Sequence, residues 1–186
     1  MDDKMNLFNE GQIISATRSD EEFLKALSSR PYVVFDLDPD LISIATKVKK
    51  AHSAGKKYFM HIDLAKGVGK DESAMKVLKK LGIDGIISTK VSVIKAAREQ
   101  GLFTVQRFFI VDSHSMHTTE ESVKSSKPDM IEIMPGAIGK VIERLKKSIG
   151  VPIIAGGLIE SIDEVKDAWM SGAIAVSTGK SELWPL

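Results

Sequence analysis

Short apolar runs alternate with amphipathic segments along nearly the whole chain. Runs rich in Val, Ile and Phe fall at 13–16, 32–36, 57–62, 85–88, 104–110, 130–133, 152–155 and 173–176. β-Branched and aromatic residues suit a pleated, buried surface, so these eight runs predict strands. The segments between them repeat apolar positions at helical spacing. A hydroxyl and a carboxylate three residues apart predict helix starts at Ser19 with Glu22, Thr118 with Glu121 and Ser161 with Glu164. Glycines at 55, 82, 101, 150 and 172 stand just before the next strand, where a helix is expected to end in a left-handed turn.

Strand–helix units in this order predict a parallel sheet with helical crossovers. Eight is the number that closes such a sheet, so the expected fold is α/β, a compact TIM-type (β/α)8 barrel forming one domain over residues 1–186. The chain is short for that fold, and some crossovers must be minimal. An open doubly wound sheet is the competing architecture. A faint internal echo favours two half-barrels: LGIDGIISTK (81–90) resembles SGAIAVSTGK (171–180), pairing units three and four with units seven and eight.

In a barrel, function sits where strands empty into the following loops, and loops seven and eight are a recurrent phosphate site. Gly156-Gly157 is expected to follow the seventh strand and Ser177-Thr178-Gly179 the eighth. Glycine lets an anion come close to backbone N–H groups. The competing reading of the two glycines is a sharp turn without a ligand. Pro135-Gly136, after the sixth strand, is expected to offer N–H groups to the same pocket, and Lys66, in the loop LAKGVGKDES (64–73), to reach a bound anion.

Alternation predicts which side chains face inward. On the third strand His61 and Asp63 are expected inside. On the second strand the same reasoning turns Asp36 and Asp38 inward. Glu132 faces inward on the sixth, and either Gln106 or Arg107 on the fifth. A buried charge must be paired or bound to something, which makes Arg107 with Glu132 the obvious couple. These residues fit a polar pocket for a hydroxylated ligand beside the phosphate loops, or purely structural pairs. A hard-metal site from Asp36, Asp38, His61, Asp63 and Glu132 has no compact motif behind it, and no metal is assigned. His114 and His117, in DSHSMH, read as surface residues of a loop.

Composition narrows the classes. Of the residues, 43% are hydrophobic and 27% charged, with no cysteine. Disulfides, thiolate metal sites and cysteine nucleophiles are excluded. No run is long and apolar enough to span a bilayer, and the opening MDDKMNLFNE is too acidic and polar for a secretory signal. A cytoplasmic protein without a membrane partner is expected. The formal charge of +1 gives no global pull toward nucleic acid. Lysines at 47, 49, 50, 56 and 57, and the stripe Lys140, Arg144 and Lys147, read as solvated surface. No GxSxG or HExxH motif is present, and Lys90 reads as an ordinary solvated lysine rather than a Schiff-base former.

HIDLAKGVGKDES, GIISTK, QRFFIVDS, IEIMPG, PIIAGGLI and STGKSELW, taken in order from about Gly11 to Trp184, resemble the glycerol uptake operon antiterminators. The resemblance implies a barrel, glycerol 3-phosphate as effector with no cofactor, and action on a leader mRNA. It assigns no RNA-contact residues. The leading expectation is a sensor in which Gly156, Gly157, Ser177, Thr178 and Gly179 hold phosphate, while His61, Asp63, Arg107 and Glu132 position hydroxyls. The alternative is an isomerase, aldolase or metal-assisted hydrolase of a small phosphometabolite, with Asp63 or Glu132 as base. A third possibility is a barrel acting through a protein partner, and self-association stays open.

Overall fold

The computed structural model describes Leu7, Phe8 and residues 10–186. The segment MDDKMN, read above against a secretory signal, lies outside them, as does Asn9. Eight strands pair in sequence order, all parallel, and β1 closes on β8. They are β1 (Gln12–Thr17), β2 (Val33–Asp36), β3 (Lys57–His61), β4 (Gly85–Ser88), β5 (Phe103–Phe109), β6 (Met130–Met134), β7 (Ile153–Gly156) and β8 (Ala175–Thr178). The crossovers are α1 (Asp20–Leu27), α2 (Leu41–Ser53), α3 (Glu72–Lys80), α4 (Val91–Glu99), α5 (Ser113–Ser126), α6 (Gly139–Ser148) and α7 (Ile162–Met170). The fold is the expected barrel. Short helices and four- to seven-residue strands make it compact enough for this chain. After β8 comes only a single turn, Ser181–Leu183, and Trp184 seals the outer layer with its indole N–H bonded to the Thr178 carbonyl at 2.9 Å.

The apolar side chains divide into two layers. Val33, Phe35, Phe59, Phe103, Val105 and Ile154 fill the barrel interior, closed by Phe8 against Phe59 and Phe103. Val34, Met60, Ile86, Ile131 and Val176 face outward under Phe23, Ile44, Met75 and Leu78 of the helices. This separation is what period-two alternation in a closed sheet requires.

Several local expectations are corrected. Ser161 and Glu164 form the full capping box of α7, but Ser19 makes only half of one, because Glu22 Oε2 accepts from the Arg18 N–H instead. Thr118 lies inside α5. That helix starts at the Asp112 cap, with Ser115 completing the box, so DSHSMH is a helix start rather than a loop. His117 pairs with Glu121 one turn on, at 3.4 Å. Gly55, Gly82, Gly101 and Gly172 have positive φ, whereas Gly150 does not, since α6 ends in extended backbone at Ile149.

On β2 the inward parity is the reverse of that expected. Phe35 and Leu37 belong to the inner layer, and Asp36 points outward. There its carboxylate accepts from Lys47 Nζ at 2.9 Å and the Tyr58 hydroxyl at 2.6 Å. Lys47 also reaches Asp20 at 3.1 Å. The outer layer thus contains a satisfied ion pair that a rule of apolar outer faces does not anticipate. Burial works against the charge on Lys47, but Asp36 and then Asp20 outweigh it and raise its pKa. Burial, reinforced by the Asp36 charge, pushes the Tyr58 hydroxyl up. Lys56 is also buried, donating to the carbonyls of Ser29 and Pro31, so these two lysines are not solvated surface.

Candidate functional site

At the C-terminal mouth of the barrel a pocket of about 650 Å³ opens between the ends of β1, β5, β6, β7 and β8. Gly157, Ser177, Thr178, Gly179 and Arg107 all line it. The structure therefore brings the turns after β7 and β8 together, and resolves the ambiguity on β5. Arg107 faces inward, while Gln106 faces α5 and accepts from the Ser126 hydroxyl.

The base of the pocket is a buried polar chain. Arg107 and Glu132 occupy matched positions on neighbouring strands. Arg107 Nε donates to Glu132 Oε2 at 2.6 Å, and the Ser177 hydroxyl donates to the other carboxylate oxygen. Glu132 is fully buried and its charge is compensated on both oxygens. The terminal guanidinium nitrogens of Arg107 make no hydrogen bond or ion pair among the described residues. His61 ends β3 inside the same barrel, 4% exposed, with Nδ1 unpartnered among the described residues. Burial, helped by the Arg107 charge, lowers its pKa.

The glycines have distinct reasons. A Cβ on Gly156 would run into the Glu132 carboxylate and the Ser177 hydroxyl. That residue is glycine because the buried chain needs the space, and it does not line the pocket. Gly157 takes φ +71° and its neighbour Leu158 φ +55°, which bends the chain sharply off β7. A Cβ on Gly179 would meet only the Ala16 carbonyl, at 3.5 Å, so its absence leaves room on the pocket side. Ser177 and Thr178 are the last residues of β8 rather than the start of its loop, paired in register with β7 and β1. The Thr178 hydroxyl donates to the Ile159 carbonyl at 3.0 Å and accepts from the Lys180 N–H at 3.0 Å, tying the two turns together.

Asp63 and Lys66 sit elsewhere on the rim. Asp63, in the turn Ile62–Leu64, accepts from the Thr89 N–H at 2.7 Å and from the hydroxyls of Thr89 and Ser88, each at 2.8 Å. Burial opposes its charge, yet these donors outweigh burial and hold the carboxyl below its usual range. Lys66 is exposed and paired with Asp38 at 2.9 Å. Neither lines the pocket. Gly136 does not offer its N–H to a ligand, since it donates to the carbonyls of Gly156 at 2.6 Å and Gly157 at 3.1 Å. Asp36, Asp38, His61, Asp63 and Glu132 are dispersed, and no cluster of three or more His, Asp or Glu side chains fit to hold a metal occurs among the described residues.

Arg18 and Phe109 line the pocket without having been singled out from the sequence. Both stand at strand ends, the signal used for the glycines. Arg18 is hidden by its place beside the Ser19 cap, and Phe109 by its apolar character.

Residues 13–184 match the profile of the glycerol-3-phosphate responsive antiterminators. The chain belongs to that family. It is 37% identical over 183 residues to the uncharacterized protein YgcP of Escherichia coli (strain K12), covering 98% of this chain and 96% of that protein. The crystal structure of the glycerol uptake operon antiterminator regulatory protein from Listeria monocytogenes str. 4b F2365 superposes with a TM-score of 0.88 at 33% identity, over 93% of this chain and 94% of that one. An antiterminator-related protein of the glycerol uptake operon from Thermotoga maritima MSB8 gives 0.85 at 31%, over 96% and 99%. Deoxyribose phosphate aldolase from Aeropyrum pernix, at 13% identity and a TM-score of 0.70 over 98% and 90%, shares the fold alone. Among the described residues no helix is long and apolar enough to cross a membrane.

Proposed function

We propose that this antiterminator-family barrel is a regulatory sensor. It binds glycerol 3-phosphate at the pocket between the ends of β7 and β8, and the bound state alters its hold on a leader RNA. The observation that carries the reading is Arg107. It is a buried guanidinium lining the pocket, with one nitrogen committed to Glu132 and the terminal pair left for an anion. A planar guanidinium recognises phosphate through two parallel N–H bonds, stronger than neutral hydrogen bonds. Gly179 leaves one side of the rim open, Gly157 lines the other against Met134, and Arg18 adds positive charge at the edge, where Lys180 is offset by Glu160. Glu132 and Ser177 position Arg107 from below. His61 does not line the pocket, but its unpartnered Nδ1 lies deeper in the barrel interior, where only a ligand hydroxyl extending past Arg107 would meet it.

The enzyme alternative has less in its favour. Glu132 is the buried carboxylate of the chain at the pocket base, but both its oxygens are occupied, which leaves no poised base. The buried lysines Lys47 and Lys56 bond elsewhere than the mouth, and Lys90 is exposed. Titration calorimetry decides. Glycerol 3-phosphate should bind, with glycerol binding far more weakly and Arg107→Gln losing most of the affinity. Absence of binding, or turnover of a phosphometabolite panel, ends the sensor reading.

A further inference from the structure

We propose that RNA is gripped by the face opposite the pocket, along an arc of cations at the C-termini of α3 to α6. The strands are all parallel, so the crossover helices run back and their C-termini gather at the far end of the barrel. The last turns there carry Lys79 and Lys80 on α3, Arg98 on α4, Lys124 on α5, and Lys146 and Lys147 on α6. These helices pack in succession, α3 on α4, α4 on α5 and α5 on α6, so their ends form one continuous arc. Arg98 Nη1 donates to the Lys127 carbonyl at 3.1 Å, and Lys79 Nζ to the Gly101 carbonyl at 3.0 Å, which ties neighbouring ends together.

These partners are neutral, so the positive charge is not cancelled. Lys80, Lys124, Lys127, Lys146 and Lys147 are exposed and form no ion pair among the described residues. The single carboxylate in the last turns of these four helices is Glu99. At the pocket end Lys66 is matched by Asp38 at 2.9 Å and Lys180 by Glu160 at 3.7 Å, while Arg18, Lys90 and Lys140 stand singly without an ion pair among the described residues and do not form a row. Acidic side chains gather there in the first turns of α1 and α7. The formal charge of +1 therefore conceals a local concentration of unpaired cations along the arc.

Offsetting helix dipoles explains part of the bias, since a cation in the last turn is favourable. It does not explain Lys127, which follows α5 at φ 51°, a position that favours glycine. With interaxial spacings of about 10 Å, the arc spans about 30 Å, long enough to meet several successive phosphates. A phosphodiester polyanion is what an extended, acid-poor row of lysines fits. The choice of RNA as that polyanion rests on the antiterminator reading. The placement on the far face also leaves the pocket free, so effector and transcript can be held together.

The test is fluorescence anisotropy with a labelled RNA stem–loop carrying single-stranded flanks, over a potassium chloride series from about 50 to 200 mM. The wild type should bind with affinity falling steeply with salt. The exposed pair Lys124→Glu/Lys147→Glu should lose about 10-fold or more and flatten the log–log salt slope by about 1.4 to 1.8, the effect of two phosphate contacts. Lys66→Glu should bind RNA as the wild type does. Calorimetry with glycerol 3-phosphate should give the same affinity in all three proteins. A wild type that fails to bind the RNA at low salt, or an arc variant that binds like the wild type, overturns the proposal. So does salt-sensitive self-association without RNA binding, which would seat the arc on the acidic face of a second copy. RNA binding without glycerol 3-phosphate binding keeps the arc and removes the sensor.

Discussion

The rim formed by β3 and β4 and the rim formed by β7 and β8 are built on one plan and finished differently. Before each final strand the chain leaves a helix in the same way, with Ile83 N–H on the Leu78 carbonyl and Ala173 N–H on the Ala168 carbonyl, both at 3.1 Å. Beyond it, Ser88 accepts the N–H of Lys90 and Thr178 accepts that of Lys180. At the first rim the Asp63 carboxylate sits on the Thr89 N–H. Gly179 stands at the place of Thr89 in the second, and no carboxylate bonds to it among the described residues. One half of the barrel supplies its own anion. The other half faces a pocket with Arg107 beneath it. The pairing supports reading the second seat as one for a ligand's anion, since the same frame already holds an internal carboxylate elsewhere.

The largest effect expected from that difference comes from breaking the pairs beneath the two rims. Arg107→Leu leaves Glu132 fully buried with Ser177 alone as partner, which should cost about 3–5 kcal/mol in urea unfolding and abolish glycerol 3-phosphate binding. Asp63→Ala removes the acceptor of three donors at a partly exposed site, a loss of about 1–3 kcal/mol. It should leave effector affinity unchanged, because its donors belong to the other rim. A similar loss of affinity in both variants would erase the distinction between the rims.

Next come the glycines of the second rim. Gly156→Ala pushes a methyl into the Glu132–Ser177 contact and should destabilise by about 1–3 kcal/mol, as overpacking does. Gly179→Ala meets only the Ala16 carbonyl at ordinary contact distance, so stability should stay close to that of the wild type while affinity for glycerol 3-phosphate falls. Unfolding curves alongside calorimetry separate the two. If Gly179→Ala binds like the wild type, the ligand does not approach that backbone.

How far the sequence carries this picture depends on which layer a residue serves. The strand count and the barrel follow from the repeated alternation of apolar runs and amphipathic helices, a signal carried by many residues at once. Glu132 and His61 are legible as inward because flanking large apolar residues fix the parity of β6 and β3. Asp36 is not. Its outward position depends on Lys47, eleven residues on, and Tyr58 on the next strand, partners that no local pattern announces. The glycines show the same limit. Two adjacent glycines after an apolar run signal constrained space, but whether a ligand or a carboxylate fills it is set by Glu132, from a strand more than twenty residues earlier. Arg18 directly follows β1, a position equivalent to that of the glycines after β7, but beside the Ser19 cap its local pattern is that of a helix start.

The smallest predicted effect is in pH. His61 ends β3 on the inner side of the first rim, and its folded pKa is below the ordinary value of 6.5, first through burial and then through Arg107. As pH falls, the unfolded chain therefore takes up this proton before the folded one does. The contribution to stability is complete above about pH 6.5 and is lost as the pH falls from there through the folded pKa, with a slope of at most about 1.4 kcal/mol per pH unit for one proton. Comparing wild type with His61→Leu by urea unfolding at a series of pH values cancels the other histidines, which are common to both. The variant should lose that part of the slope, and at neutral pH it should not be much less stable, since it removes an unpartnered buried nitrogen. Occupancy of the pocket sharpens the comparison. If a ligand seated at the second rim extends a hydroxyl across the barrel interior to Nδ1, glycerol 3-phosphate should hold His61 neutral and deepen the pH dependence in the wild type alone. Equal slopes with and without effector would mean that His61 belongs to the packing of the barrel and not to the ligand seat.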